Sequence, residues 1–265
     1  MDIDYHIHTN FSNDCKSSME TMVKAAIARE VKEIALTDHV DYKADGSPFP
    51  YQIDYKKYIA EFNRIQRLYG NRISIVLGVE VGIGSHLDAE IHSFLDSFPF
   101  QVTIGSIHDV VGLELHSGDF FTGKDKRQAY EEYFSEMLIS LRKTKINLLG
   151  HMDYITRYGN YPDRSLLYSD YSDMINDVLR EIIYSGKGLE LNTSGIRYNL
   201  GQLHPQLDIL KRYRKLGGVI ITTGSDAHHP REIAHSFKLA NEYLDEAEFK
   251  YISIFRDQKP FMVRR

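Results

Sequence analysis

The sequence predicts an α/β fold in which strands and helices alternate around a closed or nearly closed barrel. Three observations carry this expectation. Seven short apolar runs alternate with longer helical patterns, with no long linker and no low-complexity segment between them. The chain has 265 residues, a normal length for one α/β barrel and enough to bury a large core. Residues able to bind metal recur at the C-terminal ends of the apolar runs, where parallel α/β folds carry out their chemistry. Strict alternation implies a parallel sheet with helices outside it. A doubly wound open sheet is the competing architecture.

The elements follow in order. The first strand is expected over residues 3–8. Ser17-Ser18-Met19-Glu20 has the spacing of a capping box and opens a helix that runs to about Glu30. Residues 33–37 read as the second strand. After a loop rich in Gly, Pro and Asp, a helix is expected from near Asp54 to Gly70, with the glycine as its stop. Residues 73–80 form the third strand, followed by a short helix over about 87–95. The fourth strand is 102–108, with a long helix over about 124–143. The short fifth strand is 147–151, and its helix is 170–185. The sixth strand is 189–193, with Pro205 near the start of the next helix. The seventh strand is 219–225, and 231–244 is the last helix. Periodicity leaves open seven or eight barrel strands, and residues 250–255 could be mistaken for another strand.

Composition narrows the function classes. A net charge of −5 and a pI near 6.2 argue against a general nucleic-acid binder, which usually shows a basic face. They do not exclude an anionic substrate, since a few arginines and metal ions can override the balance locally. Cys15 is the only cysteine, so no internal disulfide is possible, and a reducing cytoplasm is the expected setting. The N-terminal residues lack a basic region followed by an apolar run, so no signal peptide is expected. No stretch approaches the roughly 18 apolar residues of a membrane span. The 12 histidines are the compositional outlier.

Six of the seven strands place His, Asp or Glu at their C-terminal ends. The first ends in Asp4-Tyr5-His6-Ile7-His8, the second at Asp38-His39, the third at Glu80 and the fourth at His108. The fifth ends at His151 with Asp153 beyond it, and the seventh at Ser225-Asp226-Ala227-His228. His6 and His8 are two apart on a strand, so both point to one face and can grip one ion. Asp226 and His228 share that spacing, and a closed barrel brings the two pairs together. Glu80 has two oxygens and can bridge two ions. Imidazole with carboxylate suits zinc, iron or manganese better than magnesium or calcium. Taken singly, Asp38-His39 is explained by a cap and Glu80 by a salt bridge. His86, His92 and His235 read as surface or satisfied core residues. The joint pattern is what points to metal.

Six motifs then stand in order along nearly the whole chain: Asp4-Tyr5-His6-Ile7-His8-Thr9, Thr37-Asp38-His39, Gly78-Val79-Glu80, Ser106-Ile107-His108, Gly150-His151-Met152-Asp153 and Gly224-Ser225-Asp226-Ala227-His228. In type and order they resemble the PHP (polymerase and histidinol phosphatase) superfamily. The resemblance implies a distorted (β/α)7 TIM-like barrel as a single domain over residues 1–265, with a trinuclear centre of zinc, manganese or iron. It implies one ion on His6, His8, Glu80 and Asp226, and a second on Glu80, His108 and His151. It implies a third on His39, His228 and the residue six after His8. Many members carry histidine at that position; here it is Asp14, and a carboxylate can still ligate. Residues 106–121, 151–159 and 189–197 resemble the stand-alone histidinol-phosphate phosphatases of histidine biosynthesis, and the length leaves no room for a polymerase module.

The expected reaction is hydrolysis of a phosphate monoester, L-histidinol phosphate being the specific candidate, by a hydroxide that the ions generate at neutral pH. Arg157 and Arg197 follow strand ends closely and are expected to hold phosphate oxygens by fork-like hydrogen bonds. Asp4 and Asp153 are expected to orient ligand histidines. The leaving alkoxide needs a proton, for which water held by the ions, His228 and Asp226 are all candidates. Tyr42, Asp109 and Glu114 lie in loops that can meet the amine and imidazole. The partner expected is this small molecule, with no nucleic acid and no membrane. Rival functions are another PHP phosphoesterase acting on a nucleotide, oligonucleotide or phosphotyrosine, an amidohydrolase-type metal hydrolase, and a non-enzymatic metal-binding protein.

Overall fold

The apolar runs form seven strands: β1 Ile3–Ile7, β2 Glu33–Leu36, β3 Ser74–Gly82, β4 Val102–Ser106, β5 Leu148–Leu149, β6 Gly188–Asn192 and β7 Ile221–Gly224. The structure is a computed structural model that describes residues 3–47, 49 and 53–265. Met1 and Asp2 of the N-terminal segment, and Pro48 and Pro50 of the loop before the second helix, lie outside the described residues. Strands pair parallel in sequence order from β1 to β7, and the short strand His39–Val40 also pairs with β3. Their residues are almost wholly buried, as expected where helices cover one sheet face and the barrel interior covers the other.

The barrel closes between β7 and β1, and it closes narrowly. Ile7 and Ala227 form a parallel bridge, with the His8 N–H donating to the Ala227 carbonyl at 2.9 Å. Below that point side chains stitch the seam. The Thr223 hydroxyl donates to the Ile3 carbonyl. The Asp4 carboxylate accepts the N–H groups of Ser225 at 2.8 Å and Ala234 at 2.9 Å. Asp4 therefore binds backbone across the seam rather than orienting a ligand histidine.

The register of β1 against β2 gains one residue between Asp4 and Ile7. This bulge breaks simple alternation. Ile3 and Tyr5 pack into the lower barrel with Val76, Val102 and Ile104, whereas His6 and His8 reach inward above them. One short strand thus serves an apolar floor and a polar top.

Helices cover the outside. Helix α1 (Met19–Ala28) is capped by Ser18, whose hydroxyl accepts the Thr21 N–H at 3.2 Å, one residue later than the capping-box spacing implies. Glu20 turns instead to Arg64 and Tyr69 on α2 (Tyr55–Tyr69), each at 2.8 Å. Helices α3 (Asp88–Asp96) and α4 (Lys126–Lys143) follow β3 and β4. Helix α5 (Ser172–Tyr184) follows β5, and α6 (Ser194–Arg197) and α7 (Leu207–Lys215) follow β6. The expected last helix over 231–244 is split into a turn at Pro230–Glu232 and α8 (Phe237–Glu246). Ala234 (φ 53°) and Ser236 (φ 60°) adopt left-handed backbone that no continuous helix tolerates.

The C-terminal run is a strand, but not an eighth stave. Strand β8 (Tyr251–Arg256) pairs antiparallel with β9 (Lys259–Arg264), and the hairpin closes the N-terminal mouth of the barrel. Ile252 and Phe255 pack on the floor cluster. The Tyr5 hydroxyl accepts the Phe255 N–H at 2.8 Å and donates to Glu33, and Arg256 Nη1 donates to Glu33 at 2.9 Å. Burial pushes the Glu33 carboxyl up, but Arg256 and Tyr5 outweigh it and hold it below its ordinary value of 4.5. The associated stability is present above that value and is lost as pH falls through the depressed one. Two outcomes are expected in thermal and urea unfolding. The Tm gap between wild type and Glu33→Gln stays constant from neutral pH to roughly pH 5 and narrows below roughly pH 4.5. Tyr5→Phe, which orphans the Phe255 N–H, destabilises by about 1–3 kcal/mol.

Candidate metal centre

Strand ends from around the barrel converge on Glu80, which is 1 % exposed. Its Oε2 lies 3.0 Å from His6 Nε2, 3.0 Å from His39 Nδ1 and 3.4 Å from His8 Nε2. Its Oε1 lies 2.9 Å from His151 Nε2 and 3.4 Å from His108 Nε2, and accepts the Ser106 hydroxyl at 2.6 Å. Asp226 Oδ1 sits 3.4 Å from His8 Nε2 and 3.8 Å from His6 Nε2. Asp14 Oδ2 is 3.0 Å from His228 Nε2 and 3.5 Å from His39 Nε2. All nine residues expected to ligate metal are therefore gathered in one place.

Three overlapping sets have ligand atoms within 4.8 Å of one another: His6, His8 and Glu80; His39, Glu80 and His108; and His8, His39 and His228. The division differs from the one the family resemblance implies. His39 faces Glu80 with Nδ1 and Asp14 with Nε2, so it stands between the second and third sets, with His151 on the far side of Glu80.

The residues present fit a metal. His6 Nε2, His8 Nε2, His39 Nδ1, His151 Nδ1 and Glu80 Oε2 are buried with no hydrogen-bond partner among the described residues. Each such orphan costs about 1–3 kcal/mol unless something else satisfies it. Neighbouring ligands of a tetrahedral ion with bonds of about 2.0–2.1 Å lie roughly 3.3 Å apart, close to the spacings around Glu80. His8 stacks between His39 and His228, with ring centroids at 4.3 and 4.1 Å, an arrangement that protonated imidazoles would oppose.

Electrostatics point the same way. Burial pushes His6 down, but Glu190, Glu80 and Asp226 together hold it well above its ordinary value. Burial, with His228 and His39 beside it, pushes His8 down to about 3. His108 is raised to about 10, Asp41 and Glu80 outweighing its burial. Burial raises Glu80, yet His6 and His39 hold it well below the ordinary range. The carboxylates draw positive charge onto His6 and His39, and a bound cation would supply that charge directly.

A second layer orients these rings, and sequence reasoning missed most of it. His6 Nδ1 bonds Glu190 Oε1 at 2.7 Å, and Glu190 Oε2 accepts the His151 N–H at 2.9 Å. Glu190 and Asn192 are fully buried on β6, the one strand assigned no metal ligand, where their spacing of two was the available signal. Gly224 makes room for the contact, since a Cβ there would lie 2.1 Å from Glu190 Oε1. His108 Nδ1 bonds Asp41 at 2.9 Å, and Asp38 accepts from Thr9 and Ser12. Asp153 orients His204, not a ligand histidine.

The two arginines differ. Arg157 is buried, its Nη2 donating to Ser194 and standing 3.4 Å from Asp226 Oδ2. Arg197 donates from both terminal nitrogens, at 2.6 Å each, to the carbonyls of Ser225 and Asp226. Asp226 has φ 55°, a left-handed conformation that costs roughly 1–3 kcal/mol, and Arg197 clamps it.

A family model described as the PHP domain matches residues 4–194. The chain belongs to the PHP family. A histidinol-phosphatase of Lactococcus lactis is 32 % identical over 259 residues, 97 % of this chain and 95 % of that protein. A "Probable histidinol-phosphatase" of Clostridium acetobutylicum is 35 % identical over 254 residues, 94 % of this chain and 95 % of the relative. The crystal structure of the histidinol phosphate phosphatase of Lactococcus lactis, complexed with zinc, L-histidinol and phosphate, superposes with a TM-score of 0.90 at 31 % identity, covering 98 % of each chain.

Glu190→Gln is expected to lower metal affinity about 10- to 100-fold with the fold intact. Competition with a chelator, followed by metal analysis, reads the affinity, and circular dichroism reads the fold.

Proposed function

We propose that the chain is a metal-dependent phosphomonoesterase that hydrolyses L-histidinol phosphate to L-histidinol and phosphate, in histidine biosynthesis. The observation that carries this reading is the correspondence, over 98 % of both chains, with a solved enzyme holding zinc, L-histidinol and phosphate. The whole of residues 1–265 is read as one PHP-type domain. A cytoplasmic setting accords with a single cysteine.

The metals are three ions of zinc, manganese or iron. His6, His8, Glu80 and Asp226 would hold one, Glu80 and His108 with His151 or His39 a second, and His39, His228 and Asp14 a third. Bound there, the ions supply Lewis-acid polarisation of the phosphoryl oxygens and lower the pKa of a coordinated water. The protein's part is to receive and orient the ester. Arg157 extends donors beside Asp226, where a planar guanidinium suits two phosphate oxygens. Arg197 maintains the backbone that presents Asp226 and His228, and any phosphate contact it makes shares those donors.

The leaving group has a matching space. A cavity of about 380 Å³ opens against His39, His108 and Tyr154, and its other walls include Tyr42, Asp109, Glu114 and His116. Carboxylates with an aromatic ring suit a substrate that carries an ammonium and an imidazole. These loops follow β2 and β4, so their distance from the centre is set by the barrel. The proposal assigns them the alcohol product and assigns the centre its phosphate.

Phosphate release from L-histidinol phosphate should be fast with manganese or zinc, and abolished by a chelator. Nucleotides, phosphotyrosine and phosphoserine should be turned over far more slowly. Chelator-sensitive turnover of one of those esters instead would retain the metal chemistry and overturn the substrate. Arg157→Ala should reduce kcat/KM about 100-fold, and near-normal kinetics would remove Arg157 from the site.

A further inference from the structure

Arg157 carries the most specific role of any residue outside the metal ligands, and a guanidinium on a long side chain needs something behind it to set its direction. We propose that His204 is that positioning residue, acting through a tautomer that Asp153 enforces. The proposal rests on the phosphatase reading given above. The physical argument starts from donor inventory. A guanidinium carries only donors, so the buried Arg157 Nε–H needs an acceptor. The acceptor is His204 Nε2, 3.2 Å away. An imidazole accepts at Nε2 only when its proton sits on Nδ1. His204 Nδ1 bonds Asp153 Oδ1, and the other Asp153 oxygen accepts the Gln206 N–H at 3.0 Å, which fixes the carboxylate.

The ring has no freedom to do otherwise. His204 is fully buried, and its backbone pairs both ways with Asn192 at the end of β6, at 2.8 and 2.6 Å. Gly195 runs against its edge; a Cβ there would lie 3.3 Å from Nε2 and 2.3 Å from the Gln202 carbonyl. Tyr154 and Tyr198 cover the guanidinium, with its carbon 4.6 and 4.1 Å from their ring centroids. The rings restrain its plane, the Nε anchor restrains rotation within that plane, and Nη2 is aimed at Asp226 and Ser194. The side-chain hydrogen bonds of His204 run to Arg157 and Asp153, and neither reaches a metal-ligand side chain.

A double-mutant cycle separates this from a histidine that merely fills space. The measurements are kcat/KM for L-histidinol phosphate, the inhibition constant of inorganic phosphate, and metal content. They are made on wild type, His204→Leu, Arg157→Ala and the double variant. His204→Leu should lower kcat/KM and weaken phosphate inhibition about 10- to 100-fold, with metal content unchanged. Placed on Arg157→Ala it should change either by less than about twofold. His204→Gln, which can keep an amide oxygen near the Nε2 position, should recover much of the loss. Equal losses in both backgrounds would overturn the proposal. A second measurement needs no activity and no variant that folds poorly. Imidazole ¹⁵N spectra of the wild-type protein should show His204 as the Nδ1–H tautomer, and an Nε2–H tautomer would overturn the relay. If histidinol phosphate is not turned over, the substrate reading fails by itself, while the ¹⁵N result still decides the role of His204.

Discussion

Glu80 is a carboxylate in the interior of a barrel, with five imidazoles within 3.4 Å of its two oxygens. An unpaired charge in such a place is expensive by several kcal/mol or more. Its partners come from the ends of four other strand positions: His6 and His8 from β1, His39 after β2, His108 after β4 and His151 after β5. They can converge only if those strands run parallel and close on themselves. The same convergence leaves buried nitrogens and one Glu80 oxygen in close contact but without hydrogen-bond geometry to one another. The requirement for a cation and the requirement for barrel closure are thus one constraint seen from two sides.

The barrel interior is divided to meet that constraint. Its floor is apolar, plugged by Ile252 and Phe255 of the C-terminal hairpin. Its top is polar, and three of the rings that face Glu80 are steered from behind. His6 leans on Glu190, His108 on Asp41 and His8 on Ser12. The bulge in β1 is the hinge between the two regimes, since it lets Tyr5 and His6, adjacent in sequence, serve the floor and the centre respectively. Apolar packing fills the floor and outer core, and several of the orphaned polar atoms stand at the centre. That separation is expected when function requires groups that folding alone would leave paired.

Much of this was legible. Alternation located all seven strands to within a few residues, because a buried parallel strand is a local apolar run and its helix a local period of 3.6. The ligand types were legible because they sit at strand ends. The cap of α1 slipped by one residue, Ser18 for Ser17, because the Glu20 that completes the box spacing is engaged by Arg64 and Tyr69 across α2. Residues 250–255, a run that local pattern offers only as one that could be mistaken for another strand, do form a strand, and its partner is β9 rather than the barrel edge. The last helix broke at left-handed Ala234 and Ser236, where the Asp4 carboxylate holds the Ala234 N–H.

The sequence by itself determined the α/β class and, for eight of the nine metal-capable side chains, the identity and the strand end each one occupies, because these depend on spacing within a few residues; Asp14, in the loop after β1, came from the family resemblance. Tertiary structure alone decided which groups stand behind them. Glu190 meets His6 across 184 positions, and Asp4 meets Ser225 across 221. Arg157 is aimed by His204 and Asp153, and Arg197 holds the carbonyls of Ser225 and Asp226 instead of reaching freely into the site. The reason is physical: such contacts join segments far apart in sequence, and the strand registers and the bulge that set their distances are properties of the assembled barrel.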